Sequence, residues 1–313
     1  MIQLNRGKSI AIPLILLGLI VVPFFLSTYS LNLLTLILIF GIFAASLDLL
    51  VGYTGLYSLG HAAFWGTGAY IIGILSTRGL ITNLLPLFLL AILAVAIVAT
   101  IFGILATKVT GIYFLMITFC FNQVLFAIAW KWRAMTRGDD GIPGIVRPEL
   151  GIPLNLGNEL NFYYFCLLFF LASVWAMVRI TESPFCKALV GIRDSESRMQ
   201  TLGFPTRMFK LLCFVVSGLF AGVAGILSAY YNGFVSPLDL SLVLSGEGLM
   251  MNIIGGVGTL WGPIIGAAVI TLLKHLVSGY TTHWPLIVGG IFILVVMFAK
   301  GGIAGAAKER WKL

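Results

Sequence analysis

Charge is what this chain has least of. Asp, Glu, Lys and Arg together make up 10% of its 313 residues, against roughly a quarter in soluble domains. The length leaves no room for a separate soluble catalytic domain, because about ten spans of roughly 20 residues with short loops would use all of it. Enzyme motifs are missing too: there is no HExxH, no GxSxG and no EF-hand loop. Gly7, Lys8 and Ser9 supply half of a phosphate-binding loop, but Ile2 stands where its first glycine is needed and no strand precedes it. The chain therefore reads as no enzyme, and any ATP is handled by another chain. Cysteine is sparse as well. Cys120, Cys166, Cys186 and Cys213 lie in or beside apolar runs without CxxC spacing, which fits packing residues. His61 has no partner at ligand spacing, so no metal site is expected.

What is abundant is hydrophobicity, at 60% of residues. The fold class expected is an all-α polytopic membrane protein, a single domain over 1–313 with about ten transmembrane helices. Uncharged runs place them near 10–26, 31–50, 61–77, 84–106, 111–130, 161–179, 208–231, 243–256, 262–279 and 284–299. The basic start followed by Ile10 to Leu26 invites comparison with a cleaved signal peptide. That run is long for one, and no AxA-like site follows, so it is kept as the first span. The net charge of +8 does not signal nucleic acid, because the basic residues sit at the ends of apolar segments. With both termini cytoplasmic, thirteen Lys and Arg lie inside and five outside, which satisfies the positive-inside rule.

One island interrupts the apolar pattern, Glu182 to Pro205. Ser183 and Pro184 form a helix start, and Gly203 with Pro205 a stop. At 100° per residue Phe185, Ala188, Leu189, Ile192, Met199 and Leu202 share one arc, interrupted by Glu196, while Lys187, Asp194, Arg198 and Thr201 lie opposite. This predicts a continuous cytoplasmic helix of about five turns that either rests on the bilayer or docks on a partner. Two glycine-dense stretches, Gly52 to Tyr70 and Gly255 to Ala268, allow close helix approach or a helix break. Sliding one over the other aligns Gly52 with Gly255 and Gly55 with Gly258, a hint of an internal repeat. Asp48 and Glu247 stand at span ends where water can reach them, whereas Asn122 sits deeper and is expected to bond between helices.

The run GYTGLYSLGHAAFWGTGAY, the loop TRGDDGIPGI, the helix SPFCKALVGIRDSESRMQTLGF and the run SGEGLMMNIIGGVGTLWGPIIGAA occur in this order between Gly52 and Ala268. Together they resemble the permease subunits of bacterial branched-chain amino-acid ABC importers, the M-type subunit in particular. The resemblance implies an inner-membrane permease that pairs with a second homologous permease. It implies two cytoplasmic ATPases carrying ATP and Mg, and a periplasmic amino-acid binding protein. The segment within 182–205 would be the coupling helix, with Phe185, Leu189, Ile192, Arg193, Glu196, Met199 and Leu202 meeting the ATPase. Asp48, Gly52, Gly55, Gly60, Asn122, Glu247, Gly255, Gly256 and Gly258 would line or gate the path. The EAA-loop pattern of many other ABC importers is absent, so no contacts are carried over from those. Urea and short-chain amide importers carry similar permeases, and an ion-coupled secondary transporter or a passive amide channel is the rival class. A secondary transporter would give Asp48 or Glu247 the coupling role.

Overall fold

In the computed structural model, which describes residues 17–79, 83–148, 156–280, 283–298, 301–303 and 305, the helix Thr28–Thr54 (α1) is the axis of the bundle. Ser27 caps its start by accepting from the Ser30 amide, and Gly55, at φ +71°, ends it by donating to Leu50 O. At 27 residues it is about 40 Å long. Every residue from Gly41 to Gly52 is buried, as befits a helix that is apolar all round. Along the chain follow α2 (His61–Thr77), α3 (Leu84–Ala106), α4 (Ile112–Lys131), α5 (Glu159–Glu182), α6 (Pro184–Asp194) and α7 (Glu196–Thr201). Then come α8 (Thr206–Asn232), α9 (Leu242–Gly255), α10 (Trp261–Ser278) and α11 (Trp284–Phe298). Helices α5, α8, α9 and α10 pack directly on α1, while α2 lies between α8 and α3.

Six described helices, α1, α3, α4, α5, α8 and α10, are long and apolar enough to cross a membrane, and α9 is a shorter apolar helix. The ten-span expectation is met only in part. The expected first span lies outside the described residues up to residue 16, as does the tail from 306. The expected third span folds as the 17-residue α2, which starts inside the bundle. His61 Nε2 and Ser217 Oγ are 2.8 Å apart, and the same Ser217 hydroxyl donates to Ser46 O, leaving His61 as the donor to it. Ser46 lies eight residues before Thr54, so α2 begins about 12 Å short of the end of α1. Residues 55–60 climb back over that distance without helix.

Surface patterning follows a membrane solvent. On α3, Leu87, Ala91, Val95, Ala99 and Gly103 recur every four residues and are buried, while Leu89, Leu93, Ile97 and Ile101 are exposed. The small side chains turn inward so that backbones approach, and the large ones face outward. Helix α4 buries Phe114, Thr118 and Asn122 on the same spacing. At the far end from α6, the loop Thr136 to Ile145 contributes Ile142–Pro143 (β1), which pairs antiparallel with Phe234–Val235 (β2) after α8.

Candidate functional site

A polar junction lies where α1 ends, and α6, α9 and α10 meet it there. Between α9 and α10 the chain turns through an elbow, residues 256–260. Gly256 and Gly258 have φ of +112° and +78°, and Leu260, without glycine's freedom, has φ +58°. A non-glycine residue at positive φ with ψ −43° sits in a sparsely populated region that costs on the order of 1–3 kcal/mol, so something must hold it. Asp48 does. Its carboxylate accepts from Gly258 N at 2.7 Å through Oδ1 and from Leu260 N at 3.0 Å through Oδ2. The sequence suggested a hydrated acid at a span end. The structure buries Asp48 completely, because the elbow folds over it. One turn on, Gly52 lies against Gly258, and a Cβ there would come within 2.6 Å of Gly258 Cα. The two glycine stretches therefore meet each other, a contact that their aligned spacing alone did not require.

Helix α6 joins this junction from the side. Arg193 donates from Nη1 to Gly52 O at 2.5 Å, and its stem crosses Gly55, where a Cβ would sit 2.8 Å from Cγ. Its other partner is the neighbouring Asp194, at 3.3 Å. Asp48, Gly52, Gly55, Gly255, Gly256, Gly258 and Arg193 thus form one site. The remaining expected path residues lie elsewhere. Glu247 receives Lys274 Nζ at 2.9 Å between α9 and α10. Gly60 packs on Thr118 of α4, and Asn122, one turn along, donates to Leu240 O at 2.9 Å. Asn122 therefore bonds a turn between helices rather than a second helix.

The 182–205 island differs from its periodicity in two ways. It is not one helix but two, broken at Ser195, whose φ of −162° and ψ of 100° are extended. The Ser183 cap is present, accepting from the Cys186 amide. Nor is the apolar arc free surface. Leu189 and Ile192 are 1% and 3% exposed because α6 lies on α1, α5 and α8 of its own chain. Phe185 stacks on Phe209 of α8, and Met199 of α7 packs against Gly191 of α6. Burial pushes the Cys186 thiol up to about 11, against the opposing pull of Arg193. Of the expected ATPase contacts only Arg193 and Leu202 are exposed, beside Lys187, Asp194, Ser197 and Arg198. Glu196, which seemed to interrupt the arc, faces Lys210 of α8 at 2.6 Å and accepts from Thr206 Oγ1 at 3.2 Å.

Sequence reasoning missed several anchoring groups. It gave no role to Lys210, Ser217 or Ser245. Ser245 of α9 accepts the Ala62 amide at 3.0 Å and so caps α2 inside the bundle. Asn252, also on α9, donates to Ala44 O at 2.9 Å. The available signal was polar residues inside apolar spans, which rarely stand without partners.

Comparison with known proteins gives the chain a family. The family model of the branched-chain amino acid transport system permease component matches residues 29–299. The high-affinity branched-chain amino acid transport system permease protein LivM of Salmonella typhimurium is 26% identical over 335 aligned positions, covering 98% of this chain and 78% of its own. LivM of Escherichia coli K12 shows the same identity and coverage. The high-affinity branched-chain amino acid transport system permease protein LivH of Escherichia coli K12 is 25% identical over 138 positions, 44% of each chain. No solved structure matches. The chain belongs to the family of branched-chain amino acid transport system permease components.

Proposed function

We propose that this chain is the membrane subunit of an ATP-driven importer that brings branched-chain amino acids into the cytoplasm. It pairs with a second related permease, takes its drive from two cytoplasmic ATPases that hold ATP and Mg, and receives cargo from a periplasmic binding protein. In this reading the chain crosses the bacterial inner membrane about ten times, with 10–26 as the first span and both termini inside. The α6–α7 hairpin is the coupling element. The observation that carries the reading is the seat of that hairpin: its apolar face is locked onto α1, α5 and α8, and Arg193 is bonded to the end of α1. A force applied to its outward face is therefore delivered to the spans.

The docking surface is accordingly the exposed side, Lys187, Asp194, Ser197, Arg198 and Leu202, with Leu189 and Ile192 fixing the hairpin from beneath. An ion-coupled mechanism has less support, since both oxygens of Asp48 are occupied by elbow amides and Glu247 is paired with Lys274. Photo-cross-linkers at Arg198 and Leu202 should capture an ATPase in membranes of cells making the whole transporter. A cross-linker at Ile192 should capture only residues of this chain. ATPase capture from Ile192 with none from Arg198 or Leu202 would reverse the assignment of faces.

A further inference from the structure

We propose that Arg193 is a positioning residue that makes the α9–α10 elbow follow movements of α6, with the last turn of α1 as the lever between them. This rests on the importer reading above and goes beyond it, from where force enters to the residues that carry it. The path is short and made of directed contacts. The Arg193 guanidinium holds Gly52 O at 2.5 Å. Gly52 touches Gly258 backbone to backbone, with the Asp48 carboxylate beside the contact. Asp48, four residues before Gly52 and so on the same face of α1, holds both Gly258 and Leu260. A displacement of α6 therefore either breaks the arginine's bond or moves the turn of α1 to which the elbow is tied. Leu260, at φ +58° and ψ −43°, holds backbone strain that the Asp48 bonds keep in place, so loosening them frees the elbow to relax.

Arg193 is not needed to seat α6. Its side chain is 40% exposed, and the seat is made by Cys186, Ala188, Leu189 and Ile192. Its replacement should thus separate hydrolysis from transport instead of dissolving the complex. The assembled transporter in proteoliposomes is compared as wild type, Arg193→Gln, Arg193→Lys, Asp48→Asn and the double variant Arg193→Gln with Asp48→Asn. The readout is molecules of leucine imported per ATP hydrolysed. Arg193→Gln should lower that ratio about tenfold with hydrolysis retained, and Arg193→Lys, which still donates to Gly52 O, should recover most of it. Asp48→Asn should lower it similarly, and the double variant should be no worse than the poorer single, because both act on one path.

An unchanged ratio in Arg193→Gln, or losses that multiply in the double variant, would overturn the proposal. Should Arg193→Gln fail to assemble, hydrogen exchange across 256–260 in the membrane-inserted chain alone decides it. Exchange rises severalfold if the lever exists and stays at the wild-type rate if it does not. Wild-type uptake indifferent to ATP would sink the importer reading and this inference with it. ATP-driven wild-type uptake with an unaffected Arg193→Gln sinks the inference alone.

Discussion

Replacing Asp48 by asparagine keeps the side chain's size and removes one of the two acceptors that hold the elbow. Gly258 N lies 2.7 Å from Oδ1 and Leu260 N 3.0 Å from Oδ2, so both oxygens are in use. An amide offers a single oxygen. Whichever way it turns, one backbone N–H faces another donor in a buried place, at a cost of about 1–3 kcal/mol. In an opening equilibrium that is about 5–150-fold. Amide hydrogen exchange measured by mass spectrometry on the membrane-inserted chain should therefore quicken by such a factor in the peptide spanning 256–262. A peptide within α8 should keep its rate. The loss is local, because a neutral side chain also escapes the desolvation cost of a buried carboxylate. Unchanged exchange at 256–262 would show that Asp48 does not hold the elbow.

Glu196→Gln strands Lys210, whose side chain is 3% exposed, and should destabilise the purified chain by about 2–3 kcal/mol, below the value for a fully buried pair because Glu196 is 32% exposed. Adding Lys210→Met should recover most of that in thermal unfolding; equal melting of the single and double variants contradicts the pairing. Ile192→Asp places an unpaired carboxylate among α1, α5 and α8 at a cost of a few kcal/mol. It should lower membrane abundance of the chain even without partners, whereas normal abundance with loss of the ATPase alone would return the apolar arc to the docking role. Gly52→Ala should impair uptake at matched protein level, because its Cβ meets Gly258 at 2.6 Å; wild-type uptake would show the contact to be slack. A membrane-impermeant thiol reagent should reach Ser195→Cys from the cytoplasmic side only. Cys186 should stay unmodified, since it is buried and that burial pushes its thiol up, leaving little thiolate to react. Labelling of Ser195→Cys from outside intact cells reverses the topology.

Composition and periodicity were enough for the class of the protein and for most of its helices, because apolar length and the Ser183–Pro184 start are local properties. They also located both glycine stretches. What they could not convey was the covering of each face. An amphipathic arc reads alike whether it meets lipid, a partner or the chain's own spans, and only the packing of α6 on α1, α5 and α8 decides. Glu196 broke the arc for a reason that lies on another helix, at Lys210. Asp48 looked hydrated because a span end is usually wet, and the elbow that seals it arrives more than 200 residues later. The break at Ser195 follows no proline or glycine, and its only local signal was Ser195 with Glu196, an N-cap residue and an acid in the first turn that the apolar arc overrode.

The most direct measurement is uptake of labelled leucine into proteoliposomes holding this chain, its companion permease and the ATPases, with the binding protein supplied on the side from which cargo enters. Uptake is followed with ATP, with a non-hydrolysable analogue, and with proton or sodium gradients in place of nucleotide. The expected result is accumulation with ATP alone, competed by isoleucine and valine and not by urea. Uptake driven by an ion gradient without ATP, or downhill flux of amides without either, would contradict it.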